Sequence, residues 1–209
     1  MNIAVFASGR GSNFQAILKA IQDQLLPARV CVVISNNSSA GALELARAQG
    51  IPACHLSQRQ FATEDAFADQ LLGTLNLHRT EFIALAGYMK KLPPQVVQEF
   101  RNRIVNIHPA LLPAFGGPGM YGIHVHEAVL ASGATISGAT VHLVDEEYDR
   151  GAIVLQKTVP VEPGDTPERL AARVLVVEHE IYPLALKAFA EGRVVFDGRD
   201  IRIRASGAS

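Results

Sequence analysis

Asn106 and His108 stand two residues apart in the stretch Ile104-Val105-Asn106-Ile107-His108-Pro109. Residues two apart on a strand point the same way, so the amide and the imidazole share a face while Val105 and Ile107 share the other. An amide donor beside an imidazole that titrates near neutrality can hold the oxyanion formed when an amine attacks a carbonyl. A lone histidine at a strand end is more often structural. The Asn-x-His-Pro grouping, followed by a Gly- and Pro-rich loop from Leu112 to Gly122, tips the reading toward chemistry. A carboxylate near His108 would raise its pKa and favour the imidazolium. Asp149 is the candidate, on the polar stretch Glu146-Glu147-Tyr148-Asp149-Arg150-Gly151. By spacing alone Asp145, Glu146 and Glu147 compete with it, and a plain turn residue ahead of Gly151 is the bland alternative.

A second group lies near the N-terminus, where Gly9-Arg10-Gly11-Ser12-Asn13 joins an apolar run to a helical pattern. Free N–H groups at a helix start attract phosphate, and glycines let it approach. Ser12 with Gln15 also reads as a capping box, which would make the loop only a tight, capped turn. A dinucleotide site is disfavoured: Phe14 stands where the third glycine of G-x-G-x-x-G belongs, and the second strand ends in Ser35-Asn36-Asn37 without the acidic residue. The Lys and Thr of a P-loop are missing too. A monophosphate fits better.

These groups need a frame. Strand-like runs at Ile3–Ala7, Arg29–Ile34, Ile51–Leu56 and Phe82–Ala86 alternate with helical patterns at about Phe14–Ile21, Gly41–Gln49 and Thr63–Leu77. The near-continuous apolarity of Arg29–Ile34 suits a strand buried on both faces. The alternation predicts an α/β fold, a Rossmann-like open sheet that is parallel in its N-terminal half and flanked by helices. The second half predicts a short helix at Pro93–Phe100, a strand at Ile104–His108 and a helix at His124–Ser132. A hairpin of Ser137–Glu146 with Ala152–Pro160 follows, then a long helix from Pro167 to Glu191, bent or interrupted near Pro183. Short strands at Val194–Phe196 and Ile201–Ile203 close the pattern, and Arg204 to Ser209 reads as a fraying end. That makes the C-terminal half mixed. A single domain over 1–209 is expected, with a phosphate-binding half at about 1–100 and a catalytic half at about 101–209, sharing one sheet.

Composition narrows the function. With 48% apolar residues the chain can bury a core, and 19 Lys plus Arg against 20 Asp plus Glu argue against a general nucleic-acid binder. The two cysteines, Cys31 and Cys54, sit in apolar surroundings and read as free thiols. No signal peptide and no membrane-spanning run is seen, so a cytoplasmic protein without a membrane partner is expected. His124, His126 and His142 fit no standard zinc spacing, and no metal is expected.

The set Ser8-Gly9-Arg10-Gly11-Ser12-Asn13, Leu85-Ala86-Gly87-Tyr88-Met89, Asn106-Ile107-His108-Pro109-Ala110-Leu111-Leu112-Pro113, Gly138-Ala139-Thr140-Val141-His142, Asp145 to Gly151 and Glu178-His179-Glu180-Ile181-Tyr182-Pro183, in this order, resembles the phosphoribosylglycinamide formyltransferase family over roughly Met1 to Glu191. The resemblance implies the formyltransferase fold. It implies transfer of a formyl group from 10-formyltetrahydrofolate, as co-substrate, to the amine of 5-phosphoribosylglycinamide in purine synthesis. It implies Asn106, His108 and Asp149 as the catalytic group, and Gly11, Ser12 and Asn13 as holders of the phosphate, with Glu178 near the sugar. It further implies that Met89, Lys90, Lys91, Leu92, Asn106, Val144 and Asp145 meet the folate. The implied partners are these small molecules, with the chain a monomer or homodimer. Two departures stand out: Glu64 occupies a position where some members carry arginine in a stretch meeting the folate, and the loop Ala114–Gly122 is longer than in several members.

Three other activities compete. A formyltetrahydrofolate hydrolase shares the catalytic core but adds an N-terminal regulatory domain, whereas this sequence opens on a strand. A formyltransferase for another amine, such as an amino sugar or aminoacyl-tRNA, fits the phosphate loop less well. A non-catalytic folate- or nucleotide-binding module would have no use for Asn106, His108 and Asp149 together.

Overall fold

The computed structural model describes residues 1–147, 149–198 and 200–205, the side chain of residue 200 aside. The chain divides into two compact units, Met1–Asn106 and Ile107–Ser209. The strand order of the main sheet is β3-β2-β1-β4-β5-β6-β7, the Rossmann-like open arrangement expected of the βα alternation.

In the first unit the strands are β1 (Asn2–Phe6), β2 (Arg29–Ser35), β3 (Ala53–His55), β4 (Phe82–Leu85) and the start of β5 (Ile104–His108). The β1–β2, β1–β4, β2–β3 and β4–β5 pairings are all parallel. Ile3 to Phe6 and Val32 to Ile34 are wholly buried, as strands covered on both faces must be. The covering helices are α1 (Ser12–Gln22), α2 (Gly41–Ala48), α3 (Glu64–Leu77) and α4 (Pro94–Glu99). α1 buries Phe14, Ile17 and Leu18, the face its spacing predicts. Thr63 caps α3, its side chain accepting the Ala66 N–H at 3.2 Å. β3 is shorter than the apolar run Ile51–Leu56 because Pro52 lies ahead of it.

In the second unit β6 (Ile136–Leu143) and β7 (Ile153–Pro160) pair antiparallel, and β8 (Val194–Asp197) pairs with β9 (Asp200–Ile203). β6 stops at Leu143 rather than Glu146, so the hairpin closes through a longer connection, 144–152, than the turn at Asp149-Arg150-Gly151 that the sequence suggested. Gly151 is required there: a Cβ on it would strike the Leu143 carbonyl. α6 (Pro167–Ala190) packs on this hairpin, and α5 (Ile123–Ala131) packs against α6. α6 runs as one helix of 24 residues with Pro183 inside it, so the expected interruption is absent. The fraying end expected from Arg204 lies, from 206 on, outside the described residues. Cys31 and Cys54 are free thiols. Among the described residues no helix is long and apolar enough to cross a membrane.

Candidate functional site

In the first unit, chemistry-bearing residues gather where β1 gives way to α1. Gly11 is the N-cap of α1 with φ 84°, and a Cβ there would come within 2.9 Å of the Ala42 side chain. Glycine is needed twice over, for the left-handed backbone and for the close approach of α2. Because Gly11 holds the cap position, Ser12 becomes the first helical residue, and the expected Ser12–Gln15 capping box does not form. No side chain caps α1. That box forms instead at Ser57 and Gln60. The first-turn N–H groups of α1 therefore keep the donor character that suits an anion. Asn13, in that turn, is 7% exposed.

Ser8 ties the surrounding loops together. Its N–H donates to the Gly87 carbonyl at 3.0 Å, its Oγ donates to Asn36 Oδ1 at 2.5 Å, and the Met89 N–H donates to that Oγ at 2.8 Å. The glycine loop and the segment Met89–Leu92 are thus held by one side chain. Met89, Lys90 and Lys91 are exposed and Leu92 is buried.

In the second unit, β5 ends on His108, which is 3% exposed. Asn106, two residues earlier on the same strand, is half-buried. The His108 Nε2 lies 2.7 Å from the Phe115 carbonyl oxygen. A carbonyl only accepts, so this nitrogen carries hydrogen and donates. Its Nδ1 faces Asp149 Oδ2 at 3.8 Å. That contact settles which acid approaches the imidazole. Asp145 turns back to accept the Glu147 N–H at 2.9 Å, and Glu147 pairs with Arg150 at 3.4 Å on the surface. Asp149 adopts φ 55°, unusual for a residue with a side chain, and its carboxylate also accepts the Gly117 N–H at 2.9 Å.

The electrostatics depart from the simple expectation. Burial is the largest influence on His108 and pushes its pKa below the usual value; Asp149 and the Phe115 carbonyl push upward without reversing it. His108 is therefore held neutral here, where the sequence suggested an imidazolium. Asp149 goes the other way. Burial raises it, but contacts from His142, the Gly117 N–H and His108 together hold its carboxyl below the ordinary value.

Nothing in the residue types announced the Phe115 carbonyl or the Gly117 N–H, since backbone groups leave no residue-type signature. Gly116 between them was the available hint: a Cβ there would sit 2.5 Å from Leu112 and 3.0 Å from the Asp149 Cβ. His142 was noticed only as an unfit zinc ligand. It lies on β6 with Nε2 3.4 Å from Asp149 Oδ1. His126 on α5 is 4% exposed, and burial followed by His108 lowers its pKa. Of the other expected contacts, Val144 is half-buried and Asp145 exposed on the 144–152 connection, and Glu178 is buried on α6. Glu64 begins α3.

The model of the formyl transferase family matches residues 1–186. The chain belongs to this family. Its relatives sharpen the placement among phosphoribosylglycinamide formyltransferases. That enzyme from Escherichia coli (strain K12) is 39% identical over 93% of this chain and 89% of its own. The chloroplastic phosphoribosylglycinamide formyltransferase of Vigna unguiculata is 45% identical over 93% of this chain, and the chain spans 62% of that relative's length. The fold of glycinamide ribonucleotide transformylase 1 from Symbiobacterium toebii superposes with a TM-score of 0.91 at 42% identity, over 97% of this chain and 93% of that one.

Proposed function

We propose that the protein transfers the formyl group of 10-formyltetrahydrofolate to the amine of 5-phosphoribosylglycinamide, yielding the N-formyl nucleotide and tetrahydrofolate. The observation that carries the chemistry is the His108 Nε2–H donated to a carbonyl oxygen at 2.7 Å, with Asp149 behind the other ring nitrogen. The Phe115 carbonyl oxygen stands in for the oxygen of a formyl group. When the substrate amine attacks, the carbon–nitrogen bond forms and the carbonyl electron pair moves to oxygen. His108 and the Asn106 amide donate to that oxyanion, each such donor being worth roughly 10²–10³ in rate. Collapse re-forms the carbonyl and breaks the bond to the folate nitrogen, which leaves with the proton the amine gives up. Asp149 relays that proton through water. No side-chain nucleophile is needed.

Gly11, Ser12 and Asn13 would hold the substrate phosphate on the uncapped start of α1, and Glu178 would lie near the ribose. Met89 to Leu92, Asn106, Val144 and Asp145 would meet the folate. Two free thiols suit a reducing, cytoplasmic setting.

The test mixes purified protein with 10-formyltetrahydrofolate, with and without glycinamide ribonucleotide, and follows tetrahydrofolate together with the formylated amine. Release that requires the nucleotide establishes transfer. Equal release without it means hydrolysis. Full turnover by His108→Ala would remove the mechanism.

A further inference from the structure

Within the first unit, β1 lies between β2 and β4. The chain steps outward from β1 to β2 and β3 on one side, and to β4 and β5 on the other, so the strand order reverses at β1. Open α/β sheets part there and leave a crevice for ligands. Main-chain rungs hold β1 to its neighbours as far as the Ala7 N–H on the Ile34 carbonyl, 3.1 Å, and the Ser8 N–H on the Gly87 carbonyl, 3.0 Å. Past them the Ser8 hydroxyl reaches to both sides. Its hydrogen goes to Asn36 Oδ1 at 2.5 Å, beyond the end of β2, and its oxygen accepts the Met89 N–H at 2.8 Å, beyond the end of β4. A hydroxyl has one hydrogen, so with that hydrogen fixed on Asn36 the lone pairs are left for Met89. Ser8 also opens the glycine loop, whose Gly9 and Arg10 are exposed. Met89 to Pro93 carries no regular secondary structure of its own, and Met89, Lys90 and Lys91 are exposed.

We propose that Ser8 is a positioning residue that couples the two substrates: a phosphate that orders the glycine loop fixes the Ser8 hydroxyl and through it the Met89 main chain, and a folate that orders Met89 to Leu92 acts back on the loop by the same contact. The inference rests on the formyl-transfer reading above and deepens it. Whichever ligand binds second finds part of its site already ordered and loses less freedom on binding. The effect is reciprocal, because a coupling free energy belongs to both ligands at once. A link made by one neutral hydroxyl should give a factor of about threefold to tenfold, the span of a single net hydrogen bond. Ser8 touches neither reacting atom, so the rate of the chemical step with both substrates bound is not its concern.

The test is a calorimetric titration with glycinamide ribonucleotide, alone and with saturating tetrahydrofolate, which carries no formyl group and so forms a ternary complex that cannot react. In the wild-type protein tetrahydrofolate should tighten the nucleotide by about threefold to tenfold, and the nucleotide should tighten tetrahydrofolate by the same factor. In Ser8→Ala the factor should fall to about one, and Ser8→Thr, which keeps a hydroxyl on the same carbon, should restore it. Partial unfolding does not imitate that loss: it lowers the competent fraction, which the first ligand restores, and so raises the apparent factor. Asn36→Ala leaves the hydroxyl hydrogen free to turn and should lower the factor without abolishing it, and it decides the matter should Ser8→Ala not fold. Wild-type protein that binds both molecules independently overturns the inference alone. A factor that survives in Ser8→Ala, or is unchanged in Asn36→Ala, overturns it too. Wild-type protein that binds neither molecule overturns the functional reading and this inference with it.

Discussion

Gly11→Ala perturbs one atom and should separate folding from nucleotide binding. Gly11 has φ 84°, where an alanine is strained by about 1–2 kcal/mol. The added Cβ would also stand 2.9 Å from the Ala42 Cβ and 3.0 Å from its Cα, closer than packed carbons tolerate. Neither neighbour is the movable end of a long side chain, so α2 or the loop must shift, adding about 1 kcal/mol. The total, about 2–3 kcal/mol, should lower the melting temperature by roughly 4–12 °C for a chain of this size. The same shift tilts the first-turn N–H groups of α1. Anion contacts at a helix start contribute up to about 2 kcal/mol, so the Kd for glycinamide ribonucleotide should rise by about tenfold to thirtyfold. Calorimetric titration of the folded variant measures that, and a thermal melt measures the strain. KM for the formyl folate should not follow. A melt that falls with nucleotide affinity unchanged would refute the phosphate assignment, and an unchanged melt would refute the steric reasoning.

Asp149→Asn keeps shape and removes charge, so the His108 pKa, already lowered by burial, should fall further; a Cε1–H shift titration that moves upward contradicts the opposing pull assigned to Asp149. Acid should destabilise the fold through His108 and His126, whose pKa values burial lowers from 6.5. The unfolded chain then binds more protons than the folded one, so stability is full above pH 6.5 and declines below it, by at most about 1.4 kcal/mol per pH unit per ring. Melts equal at pH 7.5 and about pH 5.5 would contradict that sign. Thr140→Val removes a buried hydroxyl that donates to the Ala110 carbonyl at 2.6 Å and accepts from the Leu112 N–H at 3.1 Å and Gln156 Nε2 at 2.9 Å. Stranding those groups should cost about 2–4 kcal/mol in denaturant unfolding, and a loss under about 0.5 would show that water replaces the hydroxyl freely.

Much of the frame was legible because burial on two faces and helical spacing both leave marks in residue type. Val30–Ile34 is continuous apolar sequence and lies in an interior strand; Phe14, Ile17 and Leu18 repeat at the helical period and are buried together. Asn106 and His108 were legible for the same reason, since a strand's alternation brings polar residues to one side. Asp149 was one of four acids, and only a backbone at φ 55° sends its carboxylate to His108. Aspartate enters the left-handed region more readily than most residues, but that tendency does not say which of the four acids will do so. The capping box misled because Ser12–Gln15 matches the pattern, while Gly11 and the close α2 decide where the helix starts. The charge of His108 misled for a related reason. The sequence names the carboxylate that raises it, but burial, which outweighs that carboxylate, belongs to the folded chain.

That balance bears on transfer against hydrolysis. A carbonyl polarised by a permanent imidazolium would be open to water whenever formyl folate was bound. Here burial holds His108 neutral, and its Nε2–H is engaged by the Phe115 carbonyl. The Gly117 N–H, two residues on, is fastened to Asp149. The loop thus occupies the donor and the carboxylate at once, and an incoming formyl oxygen must displace the Phe115 carbonyl to reach His108. Each contact surrendered is a charged or buried hydrogen bond, costing about 1–3 kcal/mol if nothing replaces it. The formyl folate brings that carbonyl oxygen whether an amine or water then attacks, so this displacement precedes both reactions alike. What separates transfer from hydrolysis is therefore the group that supplies the attacking atom, a bound amine or water, and tetrahydrofolate release with and without glycinamide ribonucleotide reads that difference directly.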